Sequence, residues 1–99
     1  MSIIDNHIDK ITKLCKLHNV DTLHVFGSVL NSDFTDNRDI DFLVRFQQID
    51  LAEYFENYIN LKEGLQQLLG HAVDLLEEQT LRNPILIDSV NQSKALIYG

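Results

Sequence analysis

The chain has 99 residues, of which 44% are apolar and 23% charged, the proportions of one globular domain with a modest core and not of a disordered or membrane-spanning polypeptide. Eight Lys and Arg against fifteen Asp and Glu leave a formal charge of −7, which disfavours direct nucleic-acid binding, because that affinity rests largely on neutralising phosphates. The single cysteine, Cys15, excludes an internal disulfide; with no signal peptide in "MSIIDNHIDK" and no apolar run of about 18 residues, a cytoplasmic protein that avoids membranes is expected.

In chain order, Ile4, Ile8, Ile11, Leu14, Cys15 and His18 recur at helical spacing and predict an amphipathic helix over residues 3–18, stopped at Asn19. His7, Cys15 and His18 fall near one face of it, and packing is a better reading of them than a metal site. "TLHVF", residues 22–26, predicts a strand ended by Gly27. Residues 30–38 are dense in Asn, Asp, Ser and Thr and predict a loop, entered through a helical turn starting at Ser28.

Residues 39–46 resume the strand pattern, with Ile40, Phe42 and Val44 on one face and Asp39 and Asp41 on the other. Asp50 and Glu53 have the offset of a capping box, and a helix follows to Gly70, with a break expected near residues 60–64. Within it Tyr54, Phe55 and Tyr58 read as core first and partner surface second. Residues 71–77 predict a third strand holding one buried acid, Asp74. Asn83-Pro84 suits an N-cap with proline in the first turn, opening a helix over residues 84–90, and "ALIYG" reads as a fourth strand or a docked tail. The expected fold class is α+β, a small mixed β-sheet packed on one side by helices, in a single domain over residues 1–99. Periodicity leaves open whether the first two strands pair in parallel or antiparallel.

Two carboxylates in an apolar strand cost several kcal/mol each unless they are paired or bind a metal. Asp39 and Asp41 also repel, since about 7 Å of strand separates them on one face. Arg38 and Arg45 are assigned to the opposite face, so a divalent cation answers the pair better; magnesium takes hard oxygens and commonly uses one or two carboxylates plus nucleotide phosphates. Asp74 is a third acid in an apolar setting. Gly27 permits a tight turn and close backbone approach, and Ser28 with the amides after it would offer donors to a phosphate. The combination points to metal-assisted nucleotidyl transfer by in-line displacement at phosphorus.

Gly27-Ser28, then Asp39-Ile40-Asp41 before "FLV", then Asp74 in "AVDLL" resembles the DNA polymerase beta-type nucleotidyltransferase superfamily, and the short chain ending "LRNPILIDSVNQSKALIYG" is similar to the MntA-like antitoxins of its minimal nucleotidyltransferase (MNT) branch. The resemblance implies that Gly27 and Ser28 hold the triphosphate of ATP, that Asp39 and Asp41 bind Mg2+ as a two-ion site, and that Asp74 completes the metal site and helps deprotonate the attacking hydroxyl. It implies a HEPN-domain toxin as partner, silenced by AMP attached to a tyrosine; self-association is left open. Two features depart from the family pattern. Val29-Leu30-Asn31-Ser32 stands where many relatives carry a basic residue and a second glycine, and Arg38 stands where many carry serine. The alternative is an antitoxin of the same fold that neutralises by occlusion without catalysis. A transferase acting on small molecules ranks last, since its relatives need a second helical domain.

Overall fold

The computed structural model describes residues 2–30 and 39–99. Helix α1 covers Ser2–Asp5 and α2 covers Ile8–Leu17, so the single N-terminal helix expected from periodicity is broken at Asn6 and His7. The break has a local cause. The His7 ring nitrogen Nδ1 lies 2.8 Å from the Ile3 carbonyl, while the His7 amide turns to Ile4 O at 3.0 Å. A side chain thus takes the carbonyl that the next helical turn would use. Asn19 ends α2 as expected, in the left-handed region at φ 60°, where asparagine is better tolerated than most residues.

Strand β1, Val20–Phe26, begins two residues earlier than predicted and runs into a 3-10 turn at Gly27–Leu30. Strand β2, Ile40–Phe46, starts one residue after Asp39. These two strands pair antiparallel, which periodicity left open. Their register slips between Val20 and Thr22; this extra residue lets Val20, Leu23 and Val25 all reach the core despite their mixed parity. Strand β3, Val73–Glu77, pairs parallel with β2, and β4, Ala95–Tyr98, pairs antiparallel with β1, giving the mixed order β3-β2-β1-β4.

Between β2 and β3 runs α3, Leu51–Leu69, without the break expected near residues 60–64. Gly64 is there for packing: a Cβ at that position would lie 2.9 Å from Leu14 Cδ2, so glycine lets α2 and α3 approach closely. Asp50 is the N-cap residue of α3, but its side chain makes no capping hydrogen bond, so the expected capping box does not form. The helix ends at Gly70 in the left-handed region, φ 69°, as anticipated. Helix α4, Pro84–Ser93, extends three residues beyond the predicted end, and Asn83 Oδ1 caps it by accepting from the amides of Ile85 and Leu86 at 3.0 and 3.4 Å.

The core lies between the sheet and α1–α3, with Ile4, Ile11, Cys15, Leu61 and Leu65 meeting Leu23, Ile40, Phe42, Val44 and Leu75. Burial pushes the Cys15 thiol up to about 12, in keeping with the packing role expected of it. The opposite face of β2 carries Asp41, Leu43 and Arg45 in alternation; there α4 approaches, and Leu43 and Val90 are both buried beside a small cavity that they share with Leu81 and Ile87. The sheet is therefore covered fully on one side and only in part on the other. Among the described residues, no helix is long and apolar enough to cross a membrane.

Candidate active site

The sheet register gathers residues that are far apart in sequence. Phe26 at the end of β1 lies opposite Asp41 near the start of β2, and Asp41 lies opposite Asp74 on β3. Asp41 and Asp74 thus stand side by side on adjacent strands, and their side chains leave the sheet on the face away from the main core. Asp39 precedes β2 on the same side, two residues from Asp41. Gly27 follows Phe26 at φ 80°, and a Cβ there would fall 2.5 Å from Asp41 Oδ2. The backbone at Gly27 is therefore pressed against the Asp41 carboxylate, a close approach that only glycine allows.

Asp41 is half-buried, whereas Asp39 and Asp74 are exposed. The Asp41 carboxyl is held above its ordinary value, first by burial and then by repulsion from Asp74 and from Asp39. Asp41 thus feels both of the other acids, and a cation beside it would relieve that repulsion. Among the described residues, no group of three His, Cys, Asp or Glu side chains is placed to hold a metal ion unaided. That does not disqualify magnesium, which is usually held by one or two carboxylates with substrate phosphates completing an octahedron. Hard oxygen donors, mutual repulsion and a glycine cradle against one carboxylate fit such an ion.

Several sequence expectations are corrected at this site. Asp74 was expected to be buried; it is exposed, and the buried acid of β3 is Glu77, at 6% exposure. Alternation along β3 gives the reason and was the available signal: Val73, Leu75 and Glu77 share the core side, leaving Asp74 on the other. Arg45 does not lie opposite Asp41, because residues an even number apart share a strand face. It is nonetheless about 13 Å further along the strand and pairs instead with Asp21 at 3.8 Å and Glu78 at 3.7 Å. The Ser28 side chain, the segment 31–38 with Asn31, and Arg38 lie outside the described residues. His7, Cys15 and His18 form no metal site among the described residues. Of the aromatic trio, Tyr54 and Tyr58 are half-buried while Phe55 is exposed.

A family model described as polymerase beta nucleotidyltransferase matches residues 9–99. The chain belongs to the polymerase beta nucleotidyltransferase family. A relative from Methanocaldococcus jannaschii, provisionally named a protein adenylyltransferase, is 31% identical over 99 residues, covering 99% of this nucleotidyltransferase chain and 96% of its own length. A solved structure, provisionally named a minimal nucleotidyltransferase, superposes with a TM-score of 0.77 at 28% identity, covering 93% of this chain and 90% of that one. A second solved structure, of a tri-AMPylated HEPN toxin from Shewanella oneidensis in complex with its MNT antitoxin, shares the fold with a TM-score of 0.65 at 22% identity, covering 96% of this chain and 71% of that one. The mixed sheet described above is thus that of the minimal nucleotidyltransferases.

Proposed function

We propose that this nucleotidyltransferase moves AMP from ATP to a hydroxyl, a tyrosine, of a partner HEPN toxin, and so serves as the antitoxin of a toxin-antitoxin pair, with residues 1–99 acting as a single domain. The observation that carries the reading is the row across the sheet: Gly27 against Asp41, and Asp41 beside Asp74. The M. jannaschii relative's name supports protein adenylylation, and the fold shared with an MNT antitoxin seen on an AMPylated HEPN toxin supports the partner.

In this reading Gly27 and Ser28 receive the triphosphate, with the backbone at Gly27 free of a Cβ that would block it. Asp39, Asp41 and Asp74 would hold magnesium, two ions by the resemblance. Magnesium supplies charge neutralisation for the attacking and leaving oxygens at phosphorus. Asp74, exposed at the row's outer end, takes the proton of the tyrosine hydroxyl as its oxygen bonds to the α-phosphorus. The bond from that phosphorus to pyrophosphate breaks, so AMP is transferred and pyrophosphate leaves.

The test is to incubate the protein with Mg2+, ATP labelled at the α-phosphate and a purified HEPN-domain protein. Label should pass to a tyrosine of that protein, and Asp41→Asn should lower the rate on the order of 100-fold, as loss of a metal-binding carboxylate does. Equal labelling by wild type and Asp41→Asn, or none by either, overturns the catalytic reading; neutralisation that survives Asp41→Asn in cells would favour occlusion.

A further inference from the structure

Strand β3 is an edge of the sheet, yet the outward backbone groups on both sides of Asp74 are taken by side chains of α3. The Val73 N–H donates to Gln66 Oε1 at 3.1 Å, and the Tyr58 hydroxyl donates to the Leu75 carbonyl at 2.5 Å. Because Ala72 O bonds inward to the Ile40 amide, the backbone of Asp74 faces β2 while that of Val73 and Leu75 faces away. The backbone that carries Asp74, at the end of the candidate row, is therefore tied from three directions: by β2 on the inside, and by Gln66 and Tyr58 on the outside before and after it.

We propose that Gln66 and Tyr58 are positioning residues for Asp74, holding its stretch of edge strand so that its carboxylate stays level with that of Asp41. The proposal rests on the reading of Asp74 as a metal-binding acid. An edge strand with free N–H and C=O groups frays or pairs with other chains; loss of either tie lets the Asp74 backbone swing, and a displacement of about 1 Å is enough to spoil a catalytic geometry. The Tyr58 phenol is held above its ordinary value first by burial and then by the Asp74 charge, so Tyr58 lies within electrostatic reach of the row. Gln66 acts as an acceptor only, so its amide orientation follows from the Val73 N–H. Glutamate in its place keeps an acceptor, whereas methionine keeps the length and loses it. Phenylalanine in place of Tyr58 keeps the ring and loses the hydroxyl.

Mn2+ standing in for Mg2+ makes the test direct, since bound and free Mn2+ differ in their electron paramagnetic resonance signal. Full-chain Tyr58→Phe and Gln66→Met should each weaken Mn2+ binding about tenfold, the lower end of the range seen when groups behind a metal ligand are removed, and the double variant more than either. Gln66→Glu should restore binding to within about twofold of wild type. Melting curves identify folded variants, and the single variants carry the test should the double variant not fold. Folded Tyr58→Phe and Gln66→Met with wild-type Mn2+ affinity, beside an Asp74→Asn that binds weakly, overturn the positioning role alone. Wild-type affinity in Asp74→Asn overturns the metal reading on which it rests.

Discussion

At Gly27 two demands meet in one residue. Its φ of 80° lies where an L side chain is strained by about 1–2 kcal/mol, and a Cβ would stand 2.5 Å from Asp41 Oδ2. Gly27→Ala should therefore cost modest stability and much more activity: a melting temperature a few degrees lower, with adenylyl transfer down at least about tenfold, checked by thermal unfolding beside the labelling assay. Gly64 makes a useful contrast, since the atom its Cβ would meet is the far end of the flexible Leu14 side chain. Gly27 differs from Gly64 both in its left-handed φ and in the neighbour its Cβ would meet, a carboxylate rather than a leucine methyl.

At the level of elements, local signals were readable where one residue decides the outcome. Asn83 before Pro84 announced α4, and Asn83 Oδ1 does cap it. Asn83→Ala should lower stability by about 1 kcal/mol, whereas Asp50→Ala should cost less than half of that, because Asp50 makes no capping hydrogen bond; urea unfolding of the two variants compares them. The helices and strands themselves were legible from the spacing of Ile11, Leu14, Leu61 and Leu65 and from the alternation of Ile40, Phe42 and Val44. What was not legible depended on partners distant in sequence. The direction of β1–β2 pairing, the continuity of α3 through Gly64 and the ties of Gln66 and Tyr58 to β3 all need three-dimensional neighbours. The break at His7 is a local event, but helical periodicity carries no warning that an imidazole will take the Ile3 carbonyl. The Gly27, Asp39, Asp41 and Asp74 pattern was visible as spacing, while its arrangement as a row needed the register.

For the whole molecule, buried acid sets the response to pH. Glu77 is buried with Oε1 unpartnered, and burial holds its carboxyl above the ordinary 4.5 even though the Gln79 and Thr80 amides draw it back down. A group raised on folding stabilises the native state below its unfolded value and loses that contribution as pH climbs through its folded value. The protein should thus lose stability through Glu77 as pH rises above about 4.5, and Glu77→Gln should be more stable than wild type at pH 7 with a flatter profile, measured by urea unfolding from acid to neutral pH. The row across β1, β2 and β3 has a kinetic meaning as well. Gly27 and Asp41 come from one end of an antiparallel pair, but Asp74 comes from a parallel pair bridged by all of α3, so the row is incomplete until that non-local part of the sheet has closed. Such long-range pairings form late and slowly because chain entropy opposes them. The candidate site thus cannot be complete in a half-folded chain, and a nucleotide that selects it would draw the equilibrium of the entire domain toward the native state.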